Sequence, residues 1–478
     1  MSDLHDLTAL EQRDALRRRD FSAADLLEHY LGRIDAHGAS LGAFVTLTEE
    51  LARSEAASAD RQLADAADAT QLPPLLGLPL AFKDLHTVAG VRSTMGSAAL
   101  VDLPLPAANG HTVGLLRQAG VVTVGTTQAP EFGPTCYTET DVVAQPAVTP
   151  YDTTRYASGS SGGAAAAVAA GLLPFGHASD GAGSTRSPAA VCGLVGIKAT
   201  RGRVSVAPMT SFQSWGCEGP LGRTVADAAL MLDVMADPPA SDLYAWPRET
   251  SFLEAAGRDP DRPLRVLRYT DPGLDVDVDP DVLRSIDDAA GLLTSLGHDV
   301  VDGTNPQPWD DALLQAMLVV FGGGLKATVE AVIPPDRRHL VRPYTAWCVQ
   351  LGETLGASDY VLATGAIARA ASTHLAATAA YDVVLTPVST SPAVPVGWFS
   401  EEGIDQEGRR MLAWSAFTPW ANLTGQPSLS LPLHTTAQGL PVGVQLTGAR
   451  RGDDALLISL AGQVERAAPF AHRHPPQW

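Results

Sequence analysis

The sequence predicts an α/β fold, on three observations. Short apolar runs of strand length recur along the chain, and between them lie longer stretches with apolar residues at helical spacing. Such alternation sets helices against a sheet. The third observation is the stretch Ala157–Ser205, where two loops rich in glycine and serine flank an alanine-rich run. A flexible linker would not interpose an apolar helix between its glycines. With 478 residues and 45% hydrophobic content, the chain can bury a large core in one big domain or two.

Taken in order, residues 6–68 read as helices. Leu26, Leu27, Tyr30, Leu31 and Ile34 share one face, and Ser22 followed by Asp25 marks an N-terminal cap. Packing on the core accounts for this face more simply than a partner helix does. Leu75–Ala81 is an apolar run leading into Phe82-Lys83-Asp84. A lysine in that place is unusual, because burying an ammonium is costly. Residues 113–124 read as a helix and then the strand Val121–Val124, and the alanines after Gly163 as a helix. Residues 236–263, rich in Pro, Asp and Arg, read as a surface connection before the strand Leu264–Leu267. Residues 281–296 and 310–332 read as helices. Within the second, Gly322, Gly323 and Gly324 each weaken a helix by about 1 kcal/mol, as a break or as an opening for substrate. Asp382–Pro387 and Asn422–Pro432 read as buried strands with their loops, followed by the closing motif Gly439–Leu446.

A formal net charge of −20 argues against nucleic acid or an anionic membrane as partner, since both require basic surface. No run approaches 18 apolar residues, so no membrane span is expected, and Met1–Asp6 lacks a signal-peptide pattern. Cys136, Cys192, Cys217 and Cys348 show no paired spacing and read as free thiols of a cytoplasmic protein. His111, His177 and Cys192 have no second ligand at metal spacing and read as packing residues. No metal or other cofactor is expected.

Gly159-Ser160-Ser161-Gly162-Gly163 satisfies G-x-S-x-G, the nucleophile elbow, with Ser161 as nucleophile. That elbow needs a buried strand before it, and Tyr151–Tyr156 is polar and turn-like. Amide hydrolysis needs an activated nucleophile, an oxyanion site and a proton for the departing amine. No histidine lies in either glycine loop, but a lysine can act as base if burial keeps it neutral.

Ser158–Gly163, Asp180–Arg186, Val191-Cys192-Gly193 and Ile197–Ser205 together resemble the amidase signature family in residue type and spacing. Gly77–Asp84 is similar to the segment that carries the family's catalytic lysine. Thr126–Gly133, Gly219–Asp227 and the closing strands match too, so the resemblance covers nearly the whole chain. It implies one domain over residues 1–478, a large mixed β-sheet covered by helices on both faces, with residues 236–420 as the divergent substrate-pocket region. It also implies Ser184 as nucleophile, Ser160 on a cis peptide bond as the bridging serine, and Lys83 as base. The N–H groups of Gly181, Ala182, Gly183 and Ser184 would form the oxyanion hole, and Asp180 and Arg186 would pair to hold their loop. Asp84, next to Lys83 on a strand, should face the other way. The implied partner is a small-molecule amide, with esters and carbamates as alternatives, and the implied assembly a monomer or homodimer.

The sequence departs from the family at Ser158 and Ala182, where glycine is usual, and at Thr185, where isoleucine is usual. The Ala182-Gly183-Ser184 form is similar to the subgroup of the nylon-oligomer cyclic-dimer hydrolase. Alanine does not freely adopt positive φ, which puts the geometry of the loop at issue. A glutamine-amidotransferase subunit acting on charged tRNA is the alternative, disfavoured by Pro130 and Ser187. A non-catalytic relative is opposed by the joint presence of Lys83, Ser160 and Ser184.

Overall fold

Two sheets carry the strands of the computed structural model, which describes residues 3–206 and 215–478. The smaller has the order β1 (Phe44–Leu47), β3 (Val122–Thr127), β2 (Pro79–Lys83). The larger contains β4 (Phe175–Asp180), β5 (Val195–Lys198), β6 (Cys217–Gly222), β7 (Arg265–Arg268), β8 (Asp299–Asp302), β9 (Val383–Pro387), β10 (Ser428–Thr435) and β11 (Pro441–Gly448). Its order is β4-β6-β5-β10-β11-β9-β7-β8, antiparallel as far as β9 and parallel from β9 through β7 to β8. The class is mixed α/β with a large mixed sheet, as expected, and a second, three-stranded sheet stands beside it. At the seam a side chain replaces the backbone ladder, since Lys83 Nζ of β2 donates to the carbonyl of Ser179 in β4 at 3.1 Å.

Local chemistry explains most elements. Ser22 Oγ accepts from the Asp25 N–H, and the Asp25 carboxylate accepts from the Ser22 N–H, so the capping box opens the helix Ala23–His37. Its Leu26, Leu27, Tyr30, Leu31 and Ile34 are all buried. The helix Arg186–Val191 packs on β5, β10 and β11, and the helix Pro280–Ser295 on β9, β10 and β11.

Three local readings are corrected. β1 lies inside the stretch read as helical; four residues are too few for a period of two to show. Asn422–Thr424 ends a short helix, Pro419–Thr424, and the strand begins only at Ser428. The helix and the first five residues of the strand are buried, so neither shows a polar face there. Lastly, the three glycines do not break their helix, which runs unbroken over Asp311–Val332. A Cβ on Gly322 would lie 3.2 Å from Leu351, and one on Gly352 would lie 2.6 Å from the Gly322 carbonyl. The glycines let this helix close on its neighbour, Pro343–Glu353. Asp311–Val332 is also long and apolar enough to cross a membrane by length and composition, which the expectation of no such run missed. Here Leu313, Met317, Val320, Leu325 and Val329 are buried against other elements of the fold.

Candidate active site

Three segments bring the site together. β2 ends at Lys83, which has 0% exposure although it carries an amine. The loop before the helix Gly162–Ala169 supplies Ser160 and Ser161, and the loop after β4 supplies Ser184. The Gly159–Ser160 peptide is cis, as the resemblance implied. Lys83 Nζ lies 2.8 Å from Ser160 Oγ and 2.8 Å from Ser161 Oγ, with the Ser179 carbonyl as its third contact. Burial lowers the Lys83 amine to about 7, against the opposing charges of Asp180 and Glu218. A large fraction is therefore neutral at neutral pH and can take up a proton.

Ser161 as a contact of the lysine was not foreseen. Its place in G-x-S-x-G pointed to an elbow, yet no strand precedes it. Ser160 and Ser184 line one cavity, and Ser161 does not. Leu85, Met95, Phe132, Val206 and Phe321 make that cavity largely apolar.

Asp180 and Arg186 pair as expected, both with 0% side-chain exposure. Arg186 Nη2 donates to Asp180 Oδ1 at 2.9 Å and Nε to Oδ2 at 3.0 Å. Its remaining donors reach the Thr418 carbonyl at 2.9 Å, Gln445 Oε1 at 2.7 Å and Asn422 Oδ1 at 2.6 Å. Burial alone would raise the Asp180 carboxyl, but the charge and hydrogen bonds of Arg186 hold it far below the usual carboxylate range. The same carboxylate takes the Gly183 N–H at 2.7 Å and the Thr185 N–H at 3.1 Å, which fixes the loop around Ser184.

That bond changes the expected oxyanion hole. The Gly183 N–H is directed at Asp180, leaving Gly181, Ala182 and Ser184 as the candidate donors. Positive φ falls on Gly183, at 129°, and not on Ala182, so alanine fits this loop without strain. Ser158, the other replaced glycine, does take positive φ, at 64°, where its hydroxyl donates to the Cys136 carbonyl at 3.1 Å. Asp84 turns away from Lys83 as expected, accepting from the Thr94 and Gly96 N–H groups.

His177 is not a bare packing residue. Its Nε2 lies 2.7 Å from Glu218 Oε2, and Glu218 Oε1 lies 3.4 Å from His86 Nδ1. These ligand-type atoms fall within 4.8 Å of one another, so the expectation that no such cluster exists fails. Strand pairing of β4 with β6 joins residues 41 apart in sequence, a separation that carries no spacing signal. The Lys83 backbone N–H points at His177 Nδ1, at 3.3 Å. A neutral ring then carries its hydrogen on Nε2 and donates it to Glu218, leaving that nitrogen no lone pair for a cation. Burial lowers His177 to about 3 and His86 to about 4, so both rings are neutral. His111 accompanies the Asp237 carbonyl at 2.8 Å, and Cys192 is a buried free thiol, as are Cys217 and Cys348.

A family model for amidases matches residues 25–457. The chain is 34% identical to an acylamidase of Rhodococcus erythropolis, over 99% of this chain and 98% of that one. It is 32% identical to a putative amidase of Synechocystis sp., over 98% of this chain and 89% of the other. Its fold is similar to the structure of 6-aminohexanoate cyclic dimer hydrolase complexed with substrate, with a TM-score of 0.90, 26% identity and 99% of each chain covered. The chain belongs to the amidase family and is an amide-hydrolysing enzyme.

Proposed function

We propose that the enzyme hydrolyses small-molecule amides through an acyl-enzyme on Ser184, with Ser160 passing protons to and from Lys83. The observation that carries this reading is the buried amine of Lys83, 2.8 Å from Ser160 Oγ, in a site whose cavity also receives Ser184. Neutral Lys83 takes the Ser160 proton while Ser160 takes that of Ser184, and Ser184 Oγ bonds to the carbonyl carbon. The negative oxygen that forms is met by N–H groups of Gly181, Ala182 and Ser184. As the C–N bond breaks, the proton returns from Lys83 through Ser160 to the leaving nitrogen. Water then attacks the acyl-enzyme by the same relay, releasing the acid and restoring Ser184.

A second cavity, lined by Leu274, Met317, Leu318, Trp347 and Leu412, shares Ala182, Cys136 and Phe321 with the first. Two apolar spaces meeting beside the nucleophile loop favour amides with apolar groups on both sides of the scissile bond. Esters and carbamates present the same carbonyl geometry and are further substrates. The test is labelling with a fluorophosphonate followed by peptide mapping. The expected adduct is on Ser184; an adduct on Ser161, with Ser184→Ala still labelled, would replace this reading with the elbow.

A further inference from the structure

We propose that Glu218 is a positioning residue for the hydrolytic site, the counter-charge that steadies Lys83 when it takes up a proton. The inference rests on the reading of Lys83 as the base. An ammonium formed in a buried site needs a negative charge that is not already committed. Each element around Lys83 can be searched for one. On β2 and the turn after it, Asp84 faces the Thr94 and Gly96 N–H groups instead. On β4, Asp180 also favours the Lys83 ammonium, but it is bound to Arg186 by paired hydrogen bonds and that cation offsets its charge. Lys198 of β5 adds a second cation on the Asp180 side and donates to the Ala199 carbonyl at 2.8 Å. The loop before the helix Gly162–Ala169 offers only the hydroxyls of Ser160 and Ser161.

Glu218 of β6 is what remains. It is buried, with 6% exposure, and among the described residues no lysine or arginine pairs with it. It faces Ser179 across the β4–β6 ladder, and the Ser179 carbonyl holds Lys83 Nζ. Its neighbours are the neutral rings of His177 and His86 and the hydroxyl of Thr112, with His111 adding a weaker influence. Burial raises the Glu218 carboxyl, opposed first by His86 and then by the hydrogen bond from the Thr112 hydroxyl, while the ring N–H of His177 also donates to it. His177 in turn accepts the Lys83 backbone N–H. One hydrogen-bonded chain therefore ties the carboxylate to the strand end that carries the lysine.

Loss of this charge should make Lys83 a weaker base. Lys83, Lys198 and Lys326 are the chain's lysines, so protein labelled with ¹³C at lysine Cε gives a spectrum in which Lys83 can be followed directly. Glu218→Gln keeps an acceptor for His177 and removes the charge; Glu218→Met is the second neutral variant. The Lys83 titration midpoint should fall by about one pH unit in either, and the rise of kcat with pH should move down with it, at unchanged KM. A midpoint that stays or rises in the folded variants overturns the proposal, and so does failure of both neutral variants to fold, which would make Glu218 structural. A parent enzyme whose rate is indifferent to Lys83 protonation would instead overturn the reading of Lys83 as base. The spectrum and the rate profile together separate the two failures.

Discussion

Replacing Arg186 with methionine should destabilise the enzyme severely, and more so at neutral than at acid pH. The side chain is wholly buried, and its donors serve Asp180, Thr418, Gln445 and Asn422 at 2.6–3.0 Å. Methionine fills much of the volume but leaves the Asp180 carboxylate buried without its cation. Breaking one side of a buried pair costs ~3–5 kcal/mol. That is roughly a 10²- to 10⁴-fold loss in the ratio of folded to unfolded protein. The pH sign follows from Asp180. In the parent, Arg186 holds this carboxyl far below its unfolded value, so the pair's contribution is complete above that value. It is lost only as pH falls through the lower folded value. In the variant, burial dominates and raises the carboxyl, so protonation relieves the uncompensated charge as pH falls. The stability deficit should therefore shrink from pH 7 towards pH 5. Equilibrium urea unfolding of parent and variant at both pH values, followed by tryptophan fluorescence, measures it. A deficit below about 1 kcal/mol, or one that widens towards acid, would refute the role given to the pair.

Ser184→Ala should lower hydrolysis by several orders of magnitude and leave the unfolding midpoint near that of the parent, since a half-buried hydroxyl is all that is lost. Ser161→Ala removes one of three groups around Lys83 Nζ. A hydrogen bond to a charged group is worth ~1.5–3 kcal/mol, so kcat should fall by roughly ten-fold to a hundred-fold; an unchanged rate would show that Ser161 is idle. Gly183→Ala puts a Cβ at φ 129° and 2.3 Å from Thr418 Oγ1. Activity and stability should both drop, the latter by ~1–3 kcal/mol in unfolding experiments, whereas Ala182→Gly should leave both near the parental level.

The segments that form the candidate site were legible because they are local. Gly77–Asp84, Ser158–Gly163 and Asp180–Arg186 each carry their chemistry within a few residues, and the spacing of the last two is fixed by one short helix and one strand. Even there, residue type did not give direction. Gly183 looked like an oxyanion donor equal to its neighbours, and only the folded loop turns its N–H to Asp180. Ser161 looked like a nucleophile by motif and is a contact of Lys83 by geometry. What remained hidden depends on pairing between distant strands. His86, His177 and Glu218 lie on the turn after β2, on β4 and on β6 respectively, and no periodicity links them. The second, three-stranded sheet was hidden for the same reason, as was the helix Pro419–Thr424, whose burial on all sides erases the polar face that marks a period.

The central claim is that a buried, neutral Lys83 drives acylation of Ser184. The measurement that tests it most directly is the single-turnover acylation rate against pH, on an activated ester and on an anilide, for the parent and for Lys83→Ala. With the Lys83 amine lowered to about 7, the parental rate should climb from acid pH, pass its midpoint near neutrality and level off in mild alkali. Lys83→Ala should lose most of the rate and show no such climb. A parental rate that is highest at acid pH, or a Lys83→Ala variant that keeps the parental rate and profile, would contradict the claim.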